Sequence, residues 1–310
     1  MRMLRKSPIH PRYAISCLLA LGFLIGSQRV ECQQIAITFD DLPAHSVLPP
    51  GETRMEIAGA VVDALRDAHV PPTYGFVNGV RIEENPGDAE VLNLWRSAGN
   101  PLGNHTWSHM NLNDHSLEDF EADALRNEPV ISTRMSTGDW RWFRFPNLAE
   151  GNTPEKRNGA RSFLQKRGYK VAAVTMSFGD YLWNEPYARC VAKKDDASIQ
   201  KLEATYLEAA ASDADYRRQM SKTLFGHDIP YVLLMHIGAF DARMLPRLLA
   251  LYKQKGFSFV SLESAESDPF YANDLDLHLP GEPDTLEGAM AARHLSLSGP
   301  RIAPANDVCR

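Results

Sequence analysis

The stretch Ile35-Ala36-Ile37-Thr38-Phe39-Asp40-Asp41 is an almost wholly apolar run that stops at two adjacent carboxylates. A run without polar alternation reads as a strand buried on both faces, the pattern of a parallel sheet covered by helices. The residues downstream keep to that pattern. Arg54 to His69 places Ile57, Ala58, Val61, Val62 and Leu65 on one helical stripe. Tyr74 to Val77 is a second strand, and Ala89 to Ala98 a helix closed by Gly99. Ser116 caps a helix predicted to Glu128, and Phe143 to Phe145 is a short strand. Thr153-Pro154 opens a helix that Gly168 closes. Lys170 to Met176 and Tyr231 to Ile237 are apolar strands separated by a long helical stretch, Ser198 to Leu224. A helix over Ala242 to Lys255, closed by Gly256, leads to a last strand, Phe257 to Leu262. Alternating strands and helices of this kind predict an α/β chain whose parallel sheet is either open or closed into a barrel.

In such folds active sites gather at the C-terminal ends of strands. Asp40 and Asp41 follow one strand directly, and adjacent side chains on an extended chain point apart. One carboxylate can therefore face a metal while the other faces a water; the alternative is a solvated turn. In His105-Thr106-Trp107-Ser108-His109 the two histidines stand at i and i+4, predicted to lie on one face of a helical turn as paired imidazole ligands. Two His and one carboxylate form the ligand set of an open hydrolytic metal centre. Zinc suits it, and cobalt, nickel or manganese compete for it. His236, at the end of its apolar strand, reads equally as a core residue or as a general acid facing the site. His45, just past the Asp pair, reads either as a residue lining the cleft or, more commonly for a loop His, as an exposed one, and His69, His115 and His227 have no partner pattern. Trp140 and Trp142 stand just before Arg144, and Trp183 and Tyr187 just after Asp180, and they suit either sugar stacking or core packing.

The 310 residues carry a net charge of -6, and no long basic run follows the first twelve residues. Nucleic acid is therefore not an expected partner. Arg2, Arg5, Lys6 and Arg12 precede an apolar stretch, Tyr13 to Gly26, which is short for a bilayer span of roughly 20 residues. Residues 1–32 are expected to be an export signal, with an uncleaved anchor as the alternative, and the remainder to be periplasmic or secreted. Cys190 and Cys309 then remain as an even pair in an oxidising compartment, either disulfide-bonded or as free thiols. No further stable membrane insertion is expected. Residues 33–269 read as one domain and 270–310, rich in Pro, Asp and Gly, as a tail wrapping it.

Five ordered motifs resemble those of the polysaccharide deacetylases, the NodB-homology group or carbohydrate esterase family 4. They are Thr38-Phe39-Asp40-Asp41, Asn104-His105-Thr106-Trp107-Ser108-His109, Arg144-Phe145-Pro146-Asn147, Asp180-Tyr181 and Leu233-Leu234-Met235-His236. The resemblance implies a distorted (β/α) barrel and a metal-dependent hydrolase that removes acetyl groups from an N- or O-acetylated polysaccharide or oligosaccharide. It implies Asp41, His105 and His109 as ligands of a divalent ion, most simply Zn2+. It also implies Asp40 as general base, His236 as general acid, Arg144 as the partner of Asp40, and Asp180 as an orienting group. Asn147, Tyr181 and Trp183 would form the walls around the sugar. Asn147 stands where the family commonly has Tyr, and Tyr181 where it commonly has Trp. These departures leave open a related amidase or deformylase on a non-polymeric substrate, or an inactive carbohydrate-binding member.

Overall fold

A computed structural model of the chain describes residues 33–136, 138–275, 285–300, 302–305 and 307–310. The expected export signal lies outside the described residues. Among the described residues there are seven strands: β1 (Gln33–Leu42), β2 (Gly75–Val77), β3 (Leu102–Asn104), β4 (Trp142–Phe143), β5 (Lys170–Val171), β6 (Tyr231–His236) and β7 (Phe257–Val260). Between and after them run α1 (Arg54–Asp67), α2 (Val80–Glu84), α3 (Ala89–Ser97), α4 (Leu117–Met135), α5 (Pro154–Lys166) and α6 (Asn184–Lys193). They are followed by α7 (Asp196–Phe225), α8 (Ala239–Gln254), α9 (Leu262–Ala265), α10 (Ala272–Leu275) and α11 (Leu286–Ala292).

All strand pairs are parallel, in the order β5-β4-β3-β2-β1-β6. β1 is the hub: its first half pairs with β7 through Gln33–Ala36, and its second half with β2 from Phe39. Along its other edge β1 runs beside β6, with Asp40 in register with His236. The sheet curls until its ends meet. Met176 bridges to Leu233 of β6, and the Leu234 amide donates to the Met176 carbonyl at 3.1 Å. The result is a distorted (β/α) barrel.

That closure corrects one expectation. Lys170 to Met176 is not a single strand: Lys170 and Val171 pair with β4, whereas Met176 pairs with β6 at the opposite edge. Between them the backbone turns to side chains. Arg144 donates to the carbonyls of Ala172 and Ala173, and the Ala173 amide donates to the buried Glu266 carboxylate. Phe143–Phe145 likewise contracts to Trp142–Phe143, because Pro146 and the left-handed Asn147 (φ 56°) turn the chain away. α4 runs past Glu128 through Pro129 to Met135. A proline in mid-helix removes one backbone hydrogen bond, and the burial of Ile131 and Met135 offsets that loss. The stretch read as one long helix is preceded by α6, after which Asp195 caps α7 and Gly226 ends it. β3 was not foreseen; three residues are too few for a periodic signal.

The main core packs the sheet against α1, α3, α7 and α8, and includes Leu286 and Met290 of α11. A second apolar cluster, with Phe120, Phe143, Phe145 and Leu164, lies under α4 and α5. Cys190 of α6 and Cys309 form a disulfide across 119 residues. Among the described residues no helix is long and apolar enough to cross a membrane.

Candidate active site

β1 brings the first two carboxylates to the barrel mouth. Asp41 adopts a left-handed backbone (φ 63°) where the pairing of β1 with β2 loses register. This is a bulge, the kind of irregularity that re-aims side chains at sheet rims. Asp40 is buried, and both its oxygens accept from Nη1 of Arg144, at 3.0 and 3.2 Å. Arg144 is itself 0% exposed. Its Nη2 donates to Thr38 Oγ1 and its Nε to the Ala172 carbonyl. Every arm of the guanidinium is thus committed, so the Asp40 carboxylate is held in place as well as charge-paired.

His105 and His109 do not lie on a helical turn, contrary to the expectation. They occupy a loop after β3, with Thr106 and His109 both left-handed at φ 60°. Asparagine and aspartate side chains hold that loop in place of helical bonds. Asn78 donates to the carbonyls of His105 and Thr106, and Asn104 Oδ1 accepts from the Thr106 amide and from Asn127. Asp123 accepts from the Ser108 amide. Asn104 is fully buried in this network, with Nδ2 donating to the Ala124 carbonyl and Tyr169.

His105 Nδ1 lies 2.7 Å from the Arg144 carbonyl, an acceptor only, so Nδ1 carries the proton and Nε2 the lone pair. That lone pair lies 3.6 Å from Asp41 Oδ1, and His109 Nε2 lies 3.5 Å from the same oxygen. Burial, and then the nearby His105, lower the His109 pKa, which favours a neutral ring. Asp41 Oδ1 is buried and accepts no hydrogen bond among the described residues. Ring nitrogens and a carboxylate oxygen that face one another, each short of a proton and all within 4.8 Å, are what a small cation needs. The residues therefore fit a divalent ion. Burial tends to raise the Asp41 pKa. The bond from His45, with the favourable electrostatics of the facing His105, His236 and His109, instead holds the carboxyl far below the usual carboxylate range.

Across the cavity, His236 ends β6. Asp180, fully buried, accepts from the His236 amide at 2.6 Å and lies 3.0 Å from its Nδ1. Burial alone would lower the His236 pKa. The Asp180 charge and hydrogen bond, with Asp41 and Asp40 behind them, reverse that and raise it to about 10. The ring is thus a proton donor at neutral pH, its Nδ1 proton fixed on Asp180.

Asp40, Asp41, His105, His109, His236, Asn147 and Tyr181 line one cavity of about 380 Å³, with Arg144 and Asp180 buried behind it. Trp183 does not belong to its wall. It is 0% exposed, donates Nε1 to Thr205 and packs on Phe178 and Tyr206. Its indole fills the core, so it cannot face a sugar. His45, read in the sequence as either cleft-lining or exposed, lies inside the site: Nδ1 is 2.8 Å from Asp41 Oδ2, and its ring lies against those of His236 and Tyr181. A signal existed, since His45 stands four residues after Asp41, but the cis Leu42-Pro43 bond that lies between them has no cue in the sequence.

Residues 27–177 match the family model described as polysaccharide deacetylase. Over that stretch the chain is similar to the polysaccharide deacetylases. Over 99 residues it is 29% identical to the peptidoglycan-N-acetylglucosamine deacetylase PgdA of Listeria monocytogenes, an alignment covering 32% of this chain and 18% of that protein. It is also 32% identical over 112 residues to a chitooligosaccharide deacetylase of Azorhizobium caulinodans, covering 36% of this chain and 47% of the relative. The chain thus spans less than half the length of either relative. The chitin deacetylase of Colletotrichum lindemuthianum shares the fold, with a TM-score of 0.53 and 20% identity over 76% of this chain and 88% of that one. The match to the family model ends before Asp180 and His236, so it does not cover those two residues.

Proposed function

We propose that this chain hydrolyses an N-acetyl or O-acetyl group on a polysaccharide or oligosaccharide, using a divalent ion held by Asp41, His105 and His109. The observation that carries this reading is the buried, unpartnered Asp41 Oδ1 facing the lone-pair nitrogens of both histidines. Bound there, the ion would polarise the acyl carbonyl and lower the pKa of water beside it. Zinc fits the ligand set, and cobalt, nickel or manganese are the alternatives. The chain's own residues do the proton work. Asp40, oriented by Arg144 and Thr38, takes a proton from the attacking water at the free side of its carboxylate. His236, held through Nδ1 by Asp180, gives the Nε2 proton to the departing amine or alcohol as its bond to the acyl carbon breaks. The products are acetate and the free sugar amine or hydroxyl. Asn147 and Tyr181 border the space left for the sugar, and the protein acts outside the cytoplasm.

The two relatives act, by name, on peptidoglycan and on chitooligosaccharide, which supports an N-acetylglucosamine substrate here. The test is acetate release by residues 33–310 from chitooligosaccharides, peptidoglycan, acetylated xylan and small amides, with zinc or with EDTA. Release from one sugar class, abolished by EDTA and reduced about 10²–10⁴-fold in Asp40→Asn, is the expected result. Binding of zinc without acetate from any sugar would turn the assignment toward an amidase or deformylase.

A further inference from the structure

His45 lies in the cavity but has no part in the proton transfers or the ligand set. Its Nδ1 is 2.8 Å from Asp41 Oδ2. The Asp41 carboxyl, held far below the usual carboxylate range, is ionised and can only accept, so His45 Nδ1 carries the proton and donates. The ring is fixed by its neighbours: its centroid lies 4.6 Å from that of His236, and Tyr181 meets it edge-on at 6.3 Å. The backbone behind the ring is pinned as well. Arg54, the first residue of α1, donates Nη1 to the His45 carbonyl at 2.6 Å and Nη2 to the Ser46 carbonyl. The Ala44 amide donates to the Asp41 carbonyl at 2.9 Å and closes the turn between the two side chains.

A carboxylate turns readily about its Cβ–Cγ bond and can offer either oxygen to a neighbour. At Asp41 the choice is made. Oδ2 is taken by His45, and Oδ1, buried and without a hydrogen bond among the described residues, faces Nε2 of His105 and of His109 at 3.6 and 3.5 Å. Carboxylates that ligate metals are themselves hydrogen-bonded, and those outer partners tune the site. His105 has such a partner in the Arg144 carbonyl. His45 stands in the same relation to the carboxylate. Burial raises the Asp41 pKa, and among the contributions that oppose burial the His45 bond is the largest.

We infer that His45 is a positioning residue for the ion: its Nδ1–H bond to Asp41 Oδ2 aims Oδ1 at the space between His105 and His109. The inference rests on the reading of Asp41, His105 and His109 as ligands. It adds that zinc affinity depends on a side chain that does not touch zinc. Substitution separates the two properties of His45. Asn carries an amide Nδ2 at the place of Nδ1 and keeps the donor without the ring, whereas Phe keeps the ring without the donor.

The experiment strips the protein with EDTA and titrates zinc against a chromophoric chelator, with the melting temperature of each metal-free variant measured alongside. His45→Phe should bind zinc about 10–100-fold more weakly than the parent, with the metal-free melting temperature unchanged. His45→Asn should return to the parent affinity. If His45→Phe does not fold, His45→Ala reads the same loss. Parent affinity in the variant lacking the donor overturns the inference. So does an Asn variant as weak as Phe, which would assign the effect to the ring. A loss of affinity matched by a fall in the metal-free melting temperature overturns it too, since the bond would then serve the fold alone. His105→Ala separates this result from the ligand reading. If His105→Ala keeps the parent affinity, the ion lies elsewhere and both readings fall. If His105→Ala loses zinc while His45→Phe keeps it, the ligands stand and only the role of His45 is lost.

Discussion

The two oxygens of the Asp41 carboxylate keep different company: Oδ2 accepts a hydrogen bond from His45, while Oδ1 accepts none among the described residues and faces two imidazole nitrogens. Removing one of those nitrogens tests what the oxygen is waiting for. His105→Ala should lose most bound zinc after dialysis, by elemental analysis, while its far-UV circular dichroism stays that of the parent. Unchanged zinc content would remove the ligand assignment. His236 gives a second prediction. Its folded pKa is raised to about 10, so the donating form persists through neutral pH and is lost as pH rises through that value. Activity should have an alkaline limb there. In Asp180→Asn the charge and the hydrogen bond both weaken, so the limb should move to lower pH; a limb that stays put would exclude Asp180 as the holder of His236. Asp40, Asp41, His105, His109 and His236 were all legible in the sequence, because strand ends and His spacing mark them. The place of His45 was legible only as one of two readings, and the buried position of Trp183 was not legible, since it depends on Phe178, Thr205 and Tyr206 packing around the indole.

At the scale of elements, the histidine loop is kept in shape by α4, which packs beneath it. Asn127 of α4, fully buried, receives the Gly79 amide on Oδ1 and donates Nδ2 to the Val77 carbonyl and to Asn104. One amide thereby ties the ends of β2 and β3 together. Asn127→Ala leaves those buried groups without partners, at about 1–3 kcal/mol each for the worst placed. The urea midpoint should fall, and zinc affinity should fall with it because the loop loosens; a normal midpoint would mean that water replaces the amide. Gly103 has a different constraint. An added Cβ would stand 2.6 Å from Phe76 and 2.9 Å from the Trp142 carbonyl. Gly103→Ala should therefore destabilise by about 1–3 kcal/mol, read in the same denaturation. Several helices were legible from local signals, with Ser116 and Thr153 as caps and Gly168 as a stop, but α4 runs on past its expected end to Met135 and α6 was not foreseen. Short strands of two or three residues were not legible, because they exist only through their neighbours in the sheet.

For the whole molecule, the parallel sheet and its helical cover followed from the alternation of apolar runs, and the distorted barrel from the family resemblance. The point where the barrel closes did not, because Met176 reaches β6 only after Arg144 and Glu266 have taken the intervening backbone bonds. The Cys190–Cys309 disulfide adds a constraint across 119 residues. Its reduction should lower unfolding free energy by about 2–4 kcal/mol, measured as a shift in the guanidinium midpoint with and without reductant. No shift would mean that the Arg189 contacts to Val308 suffice to hold the segment. One feature of the sheet reaches beyond stability. Asp40 and His236 are register partners on adjacent strands, so their backbones are separated by the inter-strand spacing of about 4.8 Å. Mutations in the surrounding loops cannot stretch that interval, and only a slip of register could, at the cost of turning every neighbouring side chain to the wrong face. The interval between the Asp40 and His236 backbones is therefore set by strand pairing, whereas Asn147, Leu148 and Tyr181 stand on segments outside the sheet, whose course no ladder bonds dictate.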